Sequence, residues 1–213
     1  MKVVHIIGSP RGERSRSRAI AEELLAALDG AEVSELDVWT QALPPLDGAM
    51  IESRYRLING LEVDPAFAEQ WQALRDMVDH LMSFDLWLFS VPMWNLGLPY
   101  RLKHFVDCII QPTMAFTNDS SGSVTCHGTN KVAVIVAAGA LDTRPEGPLA
   151  ALDYTVAHLD QCLRIYFGLS EVHEIRVMPT FGDGTAVEAR MNEARAQARE
   201  LAVSLSASGG ERG

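Results

Sequence analysis

Short apolar runs of strand length alternate with longer segments of helical spacing along the whole chain, and this alternation leaves few folds open. Residues 3–7 form a short apolar run bounded by Gly8 and read as a strand buried on both faces. Residues 33–39 alternate and read as a second strand, 86–91 as a third, 132–137 as a fourth and 172–177 as a fifth. Between them lie helical stripes: Ile20, Leu24 and Leu28; then Phe67, Trp71, Leu74, Val78 and Leu81; then Leu102, Phe105, Val106 and Ile109. A fourth stripe carries Leu152, Val156, Leu159 and Leu163, and a fifth Val187, Met191, Ala194, Ala198, Leu201 and Leu205. Five strands alternating with five helices predict an α/β fold, a doubly wound five-stranded parallel sheet with helices on both faces. Right-handed crossovers then allow only a handful of topologies. With no internal repeat and no low-complexity linker, residues 1–205 read as one domain. Residues 206–213, small, polar and glycine-rich, read as a disordered tail.

Two stretches interrupt the alternation. Residues 41–64 are rich in Leu, Pro, Gly and Asp and are too long for a simple connection, which suggests a segment folded over something or carrying function. Residues 118–130 are polar, with short β-like pieces on either side, and suggest a hairpin. The net charge of −10 opposes nucleic acid as a partner, because a phosphate backbone would be repelled. No apolar run approaches the roughly 18 residues needed to span a bilayer, so no membrane partner is expected. The run at residues 2–7 is too short and wrongly flanked for a signal peptide, so the expected location is cytoplasmic. Cys108, Cys126 and Cys162 show neither C-x-x-C nor zinc-type spacing, so inert thiols are expected and no metal.

In an open sheet of this kind ligands bind beyond the carboxyl ends of the strands, where strand order reverses. Three loops leave those ends, at residues 8–17, 92–98 and 138–149. The first matches neither G-x-G-x-x-G nor the P-loop pattern. It offers the hydroxyls of Ser9, Ser15 and Ser17 ahead of a helix, where helix-end amides and serine hydroxyls can bind a phosphate monoester without lysine. The plainer reading has Ser17 cap the helix and the other serines decorate a turn. Of Arg11, Arg14, Arg16 and Arg18, one or two could face the phosphate and most are expected in solvent. The second loop, around Met93, Trp94, Asn95 and Leu96, places an aromatic and an amide directly after a buried strand and can line a flat ring; the plainer reading has Met93, Trp94 and Leu96 as hydrophobic filler. The third, Ala137, Ala138, Gly139 and Ala140, supplies only small residues that permit close backbone approach.

At these residues the chain resembles the FMN-dependent NADH:quinone oxidoreductase and azoreductase family, flavodoxin-like flavoproteins that bind flavin mononucleotide (FMN). The family pattern P-M-Y-N-F, followed by a helix bearing L-K-x-x-x-D, appears as Pro92-Met93-Trp94-Asn95-Leu96 and as Leu102, Lys103 and Asp107. The resemblance implies that Ser9, Ser15, Arg16 and Ser17 hold the FMN phosphate. It implies that Met93, Trp94, Asn95 and Leu96 line the isoalloxazine ring, that Ala137, Ala138, Gly139 and Ala140 belong to the cofactor site, and that Phe116 sits near the substrate face. It also implies a homodimer with each active site at the subunit interface. Two electrons would pass from NADH or NADPH through FMN to a quinone or aromatic azo compound by a ping-pong scheme. The chain departs from the family in having Ala137-Ala138-Gly139-Ala140 where S-R-G-G is frequent, and in Trp94 for Tyr and Leu96 for Phe.

The hydride chemistry would be the flavin's, with no catalytic side chain required. His127 and Tyr100 are the loop candidates for a proton source, with solvent as the alternative; His5, His80, His104 and His158 read as structural or surface residues. Competing readings are an FMN reductase that releases reduced flavin and a flavodoxin-type electron carrier. A dinucleotide-binding fold would use Glu35 or Asp37, but its glycine loop is missing.

Overall fold

The structure, a computed structural model, describes residues 1–119 and 121–209. Among them the strands are β1 (Lys2–Ile7), β2 (Glu32–Asp37), β3 (Leu86–Pro92), β4 (Phe116–Asn118), β5 (Val124–Cys126), β6 (Val132–Ala138) and β7 (Glu171–Val177). The α-helices are α1 (Arg16–Ala27), α2 (Gly48–Ile58), α3 (Ala68–Met82), α4 (Tyr100–Ile109), α5 (Val156–Cys162) and α6 (Gly184–Gly209). Five strands pair in the order β2-β1-β3-β6-β7, every pairing parallel. The continuous apolar runs, β3 and β6, fall inside the sheet and are buried on both faces, whereas β2, the alternating run, lies at an edge.

The chain leaves β1 for β2 on one side and returns across to β3 on the other. The loops after β1 and β3 therefore diverge, and the crevice between their carboxyl ends is the switch point at which such folds bind ligands. Register aligns those ends: Ile7 lies beside Asp37 and Ser90, Pro92 beside Ala138, and Ala138 beside Val177. One core packs α1 and α6 against a face of the sheet, where Ala194, Ala198 and Ala202 let α6 come close. The other, containing Trp71, Trp87, Phe89, Phe105 and Phe167, lies under α3, α4 and α5.

Three expectations change in detail. The stretch 41–64 contains α2, whose Met50 is buried and whose Ser53 hydroxyl accepts the indole N–H of Trp71 at 2.8 Å. Its apolar spacing is hard to see because Tyr55 and Ile58 stay exposed. The hairpin forms as β4 paired antiparallel with β5, Thr117 opposite Thr125. Residues 206–209 are not a tail but the end of α6, held by buried Ala202 and Leu205 and by Ser206, whose hydroxyl accepts the Asp29 N–H at 3.4 Å. Residues 210–213 of the expected tail lie outside the described residues. Among the described residues no helix is long and apolar enough to cross a membrane.

Candidate functional site

The loop after β1 is held from below. Gly8 N–H donates to the Ser90 carbonyl at 2.9 Å, and a Cβ on Gly8 would lie 3.0 Å from that oxygen and 2.9 Å from a Leu102 methyl. Only glycine lets the loop leave the sheet this close to β3 and α4. Ser9, Ser15 and Ser17 are all buried. Ser15, not Ser17, caps α1: its Oγ accepts the Arg18 N–H at 3.3 Å. Ser17 follows in the first turn, with its Oγ 3.2 Å from that of Ser15. Two hydroxyls thus face each other where the first amides of α1 lack intrahelical acceptors, a pairing suited to an anion. Arg16 donates from Nη1 to the Thr180 carbonyl at 2.6 Å, while Arg18 is engaged by Glu22 and Glu35; Arg11 and Arg14 are exposed.

Beneath this loop lies a buried polar pair. His5 Nε2 sits 3.0 Å from Ser90 Oγ, and His5 Nδ1 has no hydrogen-bond partner among the described residues. Burial, with the Arg18 guanidinium adding to it, lowers the imidazole's pKa to about 4, so the ring is neutral at physiological pH.

The loop after β3 closes on itself. Trp94 N–H donates to the Gly97 carbonyl and Gly97 N–H to the Trp94 carbonyl, both at 3.0 Å. The two residues between, Asn95 and Leu96, have φ of +50° and +71°, the requirement of a type I′ turn. Asparagine tolerates that conformation; for leucine it costs of order 1–3 kcal/mol and persists only where neighbours impose it. Here the Leu96 carbonyl accepts the Tyr154 N–H at 3.1 Å and the Thr155 hydroxyl at 3.2 Å. The result is a rigid turn with Trp94 and Asn95 exposed and Met93 and Leu96 half-buried.

The third loop abuts it. Met93 N–H donates to the Ala138 carbonyl at 2.8 Å, and a Cβ on Gly139 would lie 3.1 Å from Met93 Cβ. Ala137 is wholly buried within the sheet, whereas Ala138 is half-buried and Ala140 exposed. The Gly139 carbonyl accepts both the N–H and the hydroxyl of Thr180, at 2.8 and 3.0 Å. Through Thr180, which also receives Arg16, the loop after β7 ties the first and third loops together.

Three residues beside these loops, Trp39, Arg101 and Thr180, went unassigned in the sequence. Trp39, following β2, donates from its indole to the Gly8 carbonyl at 3.1 Å and lies 5.6 Å from the Trp94 ring and 5.4 Å from that of Tyr100. Arg101 fixes its loop by donating to the carbonyls of Val38, at 2.7 Å, and of Gln41. The strand-end rule itself nominates Trp39, since β2 ends beside β1, and Thr180, since β7 ends beside β6. Tyr100, expected only as a proton source, joins Trp39 and Trp94 in an aromatic wall and is largely exposed.

Phe116 is not brought to these loops. It is buried on β4 against Tyr166, 5.6 Å between rings. His127 stays with the same hairpin, its Nδ1 2.7 Å from the Met114 carbonyl. Glu35 pairs with Arg18, and Asp37 accepts the Trp39 N–H, so both dinucleotide-type acids are engaged within the chain. The cysteines are free thiols; burial pushes that of Cys108 up to about 12 and raises that of Cys162. Neither is a thiolate at neutral pH.

A crevice with an anion seat at one end and an aromatic, backbone-rich turn at the other suits a mononucleotide whose base is a broad flat ring, the class of ligand for which flavodoxin-like folds are built. Residues 1–202 match the family model for the flavodoxin-like fold. The chain is 33% identical over 209 residues to FMN-dependent NADH:quinone oxidoreductase 2 of Pseudomonas syringae pv. tomato, covering 96% of this chain and 99% of that one. The chain belongs to this family, the FMN-dependent NADH:quinone oxidoreductases of flavodoxin-like fold. Its backbone is similar to that of an azoreductase from Bacillus anthracis str. Sterne, with a TM-score of 0.82 at 21% identity over 95% of this chain and 98% of the other. It is also similar to an FMN-dependent NADH-azoreductase from Bacillus anthracis str. Ames Ancestor solved in complex with FMN. That TM-score is 0.77 at 16% identity, over 94% and 99% of the two chains.

Proposed function

We propose that this protein is an FMN-dependent NAD(P)H oxidoreductase that passes two electrons to quinones or aromatic azo compounds. The observation that carries the reading is the pairing of a buried serine cluster at the start of α1 with the closed Trp94–Gly97 turn, one on each side of the switch point. The residues fit FMN. Ser9, Ser15 and Ser17 offer hydroxyls, α1 offers unpaired amides, and among the described residues no carboxylate accepts a hydrogen bond from any of the three serines. Met93 to Leu96, with Ala138 to Ala140 beside them, offer an apolar edge and backbone groups to a ring system.

Bound FMN would supply the redox chemistry: hydride accepted from a reduced nicotinamide, then two electrons delivered to the acceptor. The chain's part is position. The N-terminus of α1 and its serines anchor the phosphate, Arg16 adds positive charge beside them, and the rigid 94–97 turn fixes the ring's edge. Trp39, Trp94 and Tyr100 form a wall on which a second flat ring can rest, so donor and acceptor occupy the same space in turn, as a ping-pong scheme requires. The proton consumed in reducing the acceptor comes from solvent in this reading, because His127 is held by its own hairpin.

The homodimer belongs to the same proposal. A cleft of about 400 Å³ between α2, α4 and α5 is of mixed character, lined by Leu46, Ile51, Val106, Ile110 and Tyr166 together with Arg54, Lys103, Asp107, Gln111 and His158. Tyr55, Ile58 and Ile165 are exposed on the elements that frame it, and exposed apolar side chains of this kind are what a partner copy covers. The cleft carries Tyr166 and, behind it, Phe116, so a partner would bring the Phe116 hairpin into play at the substrate face. Free cysteines and a reduced nicotinamide donor favour the cytoplasm.

Anaerobic titration of the FMN-loaded protein with NADH and NADPH, followed by a quinone, tests the reading. The flavin absorbance bleaches stoichiometrically and returns at once with quinone. Failure to take up FMN sinks the proposal. Bleaching without rapid return on adding quinone turns it into an electron carrier, and loss of reduced flavin on gel filtration into an FMN reductase.

A further inference from the structure

The strained turn at residues 94–97 is held by a segment with its own anchor. Tyr154 and Thr155, which bind the Leu96 carbonyl, follow Asp153, whose Oδ1 accepts the N–H groups of both Thr155 and Val156 at 3.0 Å. Its other oxygen, Oδ2, pairs with Arg176 in β7. Both side chains are nearly closed to solvent, 5% exposed for Asp153 and 13% for Arg176. Arg176 donates as well to Glu174 and to the carbonyl of Thr143, in the loop that begins at Gly139. A buried ion pair is a poor source of net stability, because desolvation offsets most of the attraction. Its effect here is geometric. It fixes where residues 153–155 sit, and they fix Leu96.

We propose that Arg176 and Asp153 are a positioning pair for the 94–97 turn, holding Leu96 in its left-handed conformation from the edge strand of the sheet through Thr155 and Tyr154. This rests on the reading that a flavin ring lies against that turn. Register makes the link short. Arg176 is the sheet neighbour of Ala137, and the Gly139 N–H donates to the carbonyl of Val177, the next residue in β7. Neither Arg176 nor Asp153 needs to touch the ligand.

The test compares Arg176→Met, Arg176→Lys and Thr155→Val in the full chain. Amide hydrogen exchange at residues 94 and 97 is read against that of β6, with and without FMN, and steady-state kinetics follow at saturating FMN. Thr155→Val removes one donor to Leu96, keeps volume and shape, and spares the ion pair. Arg176→Met and Thr155→Val are expected to speed exchange at Trp94 and Gly97 roughly tenfold, the effect of one hydrogen bond, while β6 is unchanged. Turnover per bound flavin falls several-fold with little change in KM for NADH, and Arg176→Lys recovers part of both. Unchanged exchange at 94–97 in Thr155→Val and Arg176→Met overturns the proposal. So does a uniform rise across the sheet, which marks a merely structural pair. A wild type that takes up no FMN defeats the flavin reading alone, since exchange in the ligand-free chain still decides the coupling.

Discussion

The two ends of the crevice are made in opposite ways. The anion end is local and unstrained: Ser15 caps the helix that immediately follows it, Ser17 faces it two residues on, and Gly8 fits beneath. The ring end is non-local and strained: Leu96 holds a positive φ because residues almost sixty positions away bind its carbonyl. An anion seat needs only a helix N-terminus and hydroxyls, which short sequence stretches supply. A ring edge needs backbone groups fixed to a fraction of an ångström, and strain imposed by distant contacts is one way to fix them. The difference gives each end its own failure: the first by loss of affinity, the second by loss of turnover.

The largest expected effect lies beneath the anion end. His5 is neutral in the fold, with its pKa lowered to about 4, while the unfolded chain takes up a proton near 6.5. Between those values only the unfolded state binds the proton, so stability falls as pH drops from 6.5 towards 4 and levels off below. The full loss is ~3 kcal/mol for this one group. Urea midpoints measured from pH 7 to 4 for the wild type and His5→Leu check it: the variant's slope is shallower by up to one proton. Equal slopes would mean that the buried ring is charged or solvated.

A smaller effect separates capping from ligand binding. Ser15→Ala loses the cap and costs about 1 kcal/mol of stability. Ser17→Ala leaves the cap intact and is expected to be nearly neutral in the ligand-free protein. Both weaken FMN binding by roughly ten- to a hundredfold, as for a hydrogen bond to a charged group. Fluorescence titration of flavin against each variant, beside thermal melts of the free protein, resolves the pair. If Ser17→Ala bound FMN like the wild type, Ser17 would lie outside the phosphate site.

The same contrast explains what could be read from the sequence. The inner strands were legible because runs such as 132–137 are apolar throughout and the edge run 33–39 because it alternates; a helix cap in the serine loop was legible because caps act within three residues, although Ser15 and not Ser17 provides it. The placing of Trp94 was legible as far as its loop. Trp39 was legible only as the end of its strand, because its contact with Trp94 and the Arg101 bonds to its loop join residues far apart in the sequence. The helix α2 was hidden by the exposed apolar residues that break its period, Tyr55 and Ile58. Phe116 was assigned by resemblance to a substrate face; within one chain it packs on Tyr166, since residues 116–118 pair with 124–126 and remain with the hairpin. Positive φ at Leu96 has no sequence signal, since leucine is the wrong residue for it.

That residue gives a small expected effect on stability and the sharpest test of the contrast. Leu96→Gly removes the steric cost of φ +71° but frees the unfolded chain and gives up a half-buried side chain. The terms oppose one another, and the net change in stability is expected to stay within about 1 kcal/mol. If the strain serves only the fold, relieving it leaves turnover unchanged. If it holds the ring edge, glycine lets the turn sample other conformations, and turnover per bound flavin falls while the FMN dissociation constant, set mainly at the serine end, moves little. Urea midpoints, flavin titration and the rate of anaerobic reduction by NADH, measured on the one variant, distinguish the two. A fall in affinity as large as that of Ser17→Ala would collapse the distinction between the ends.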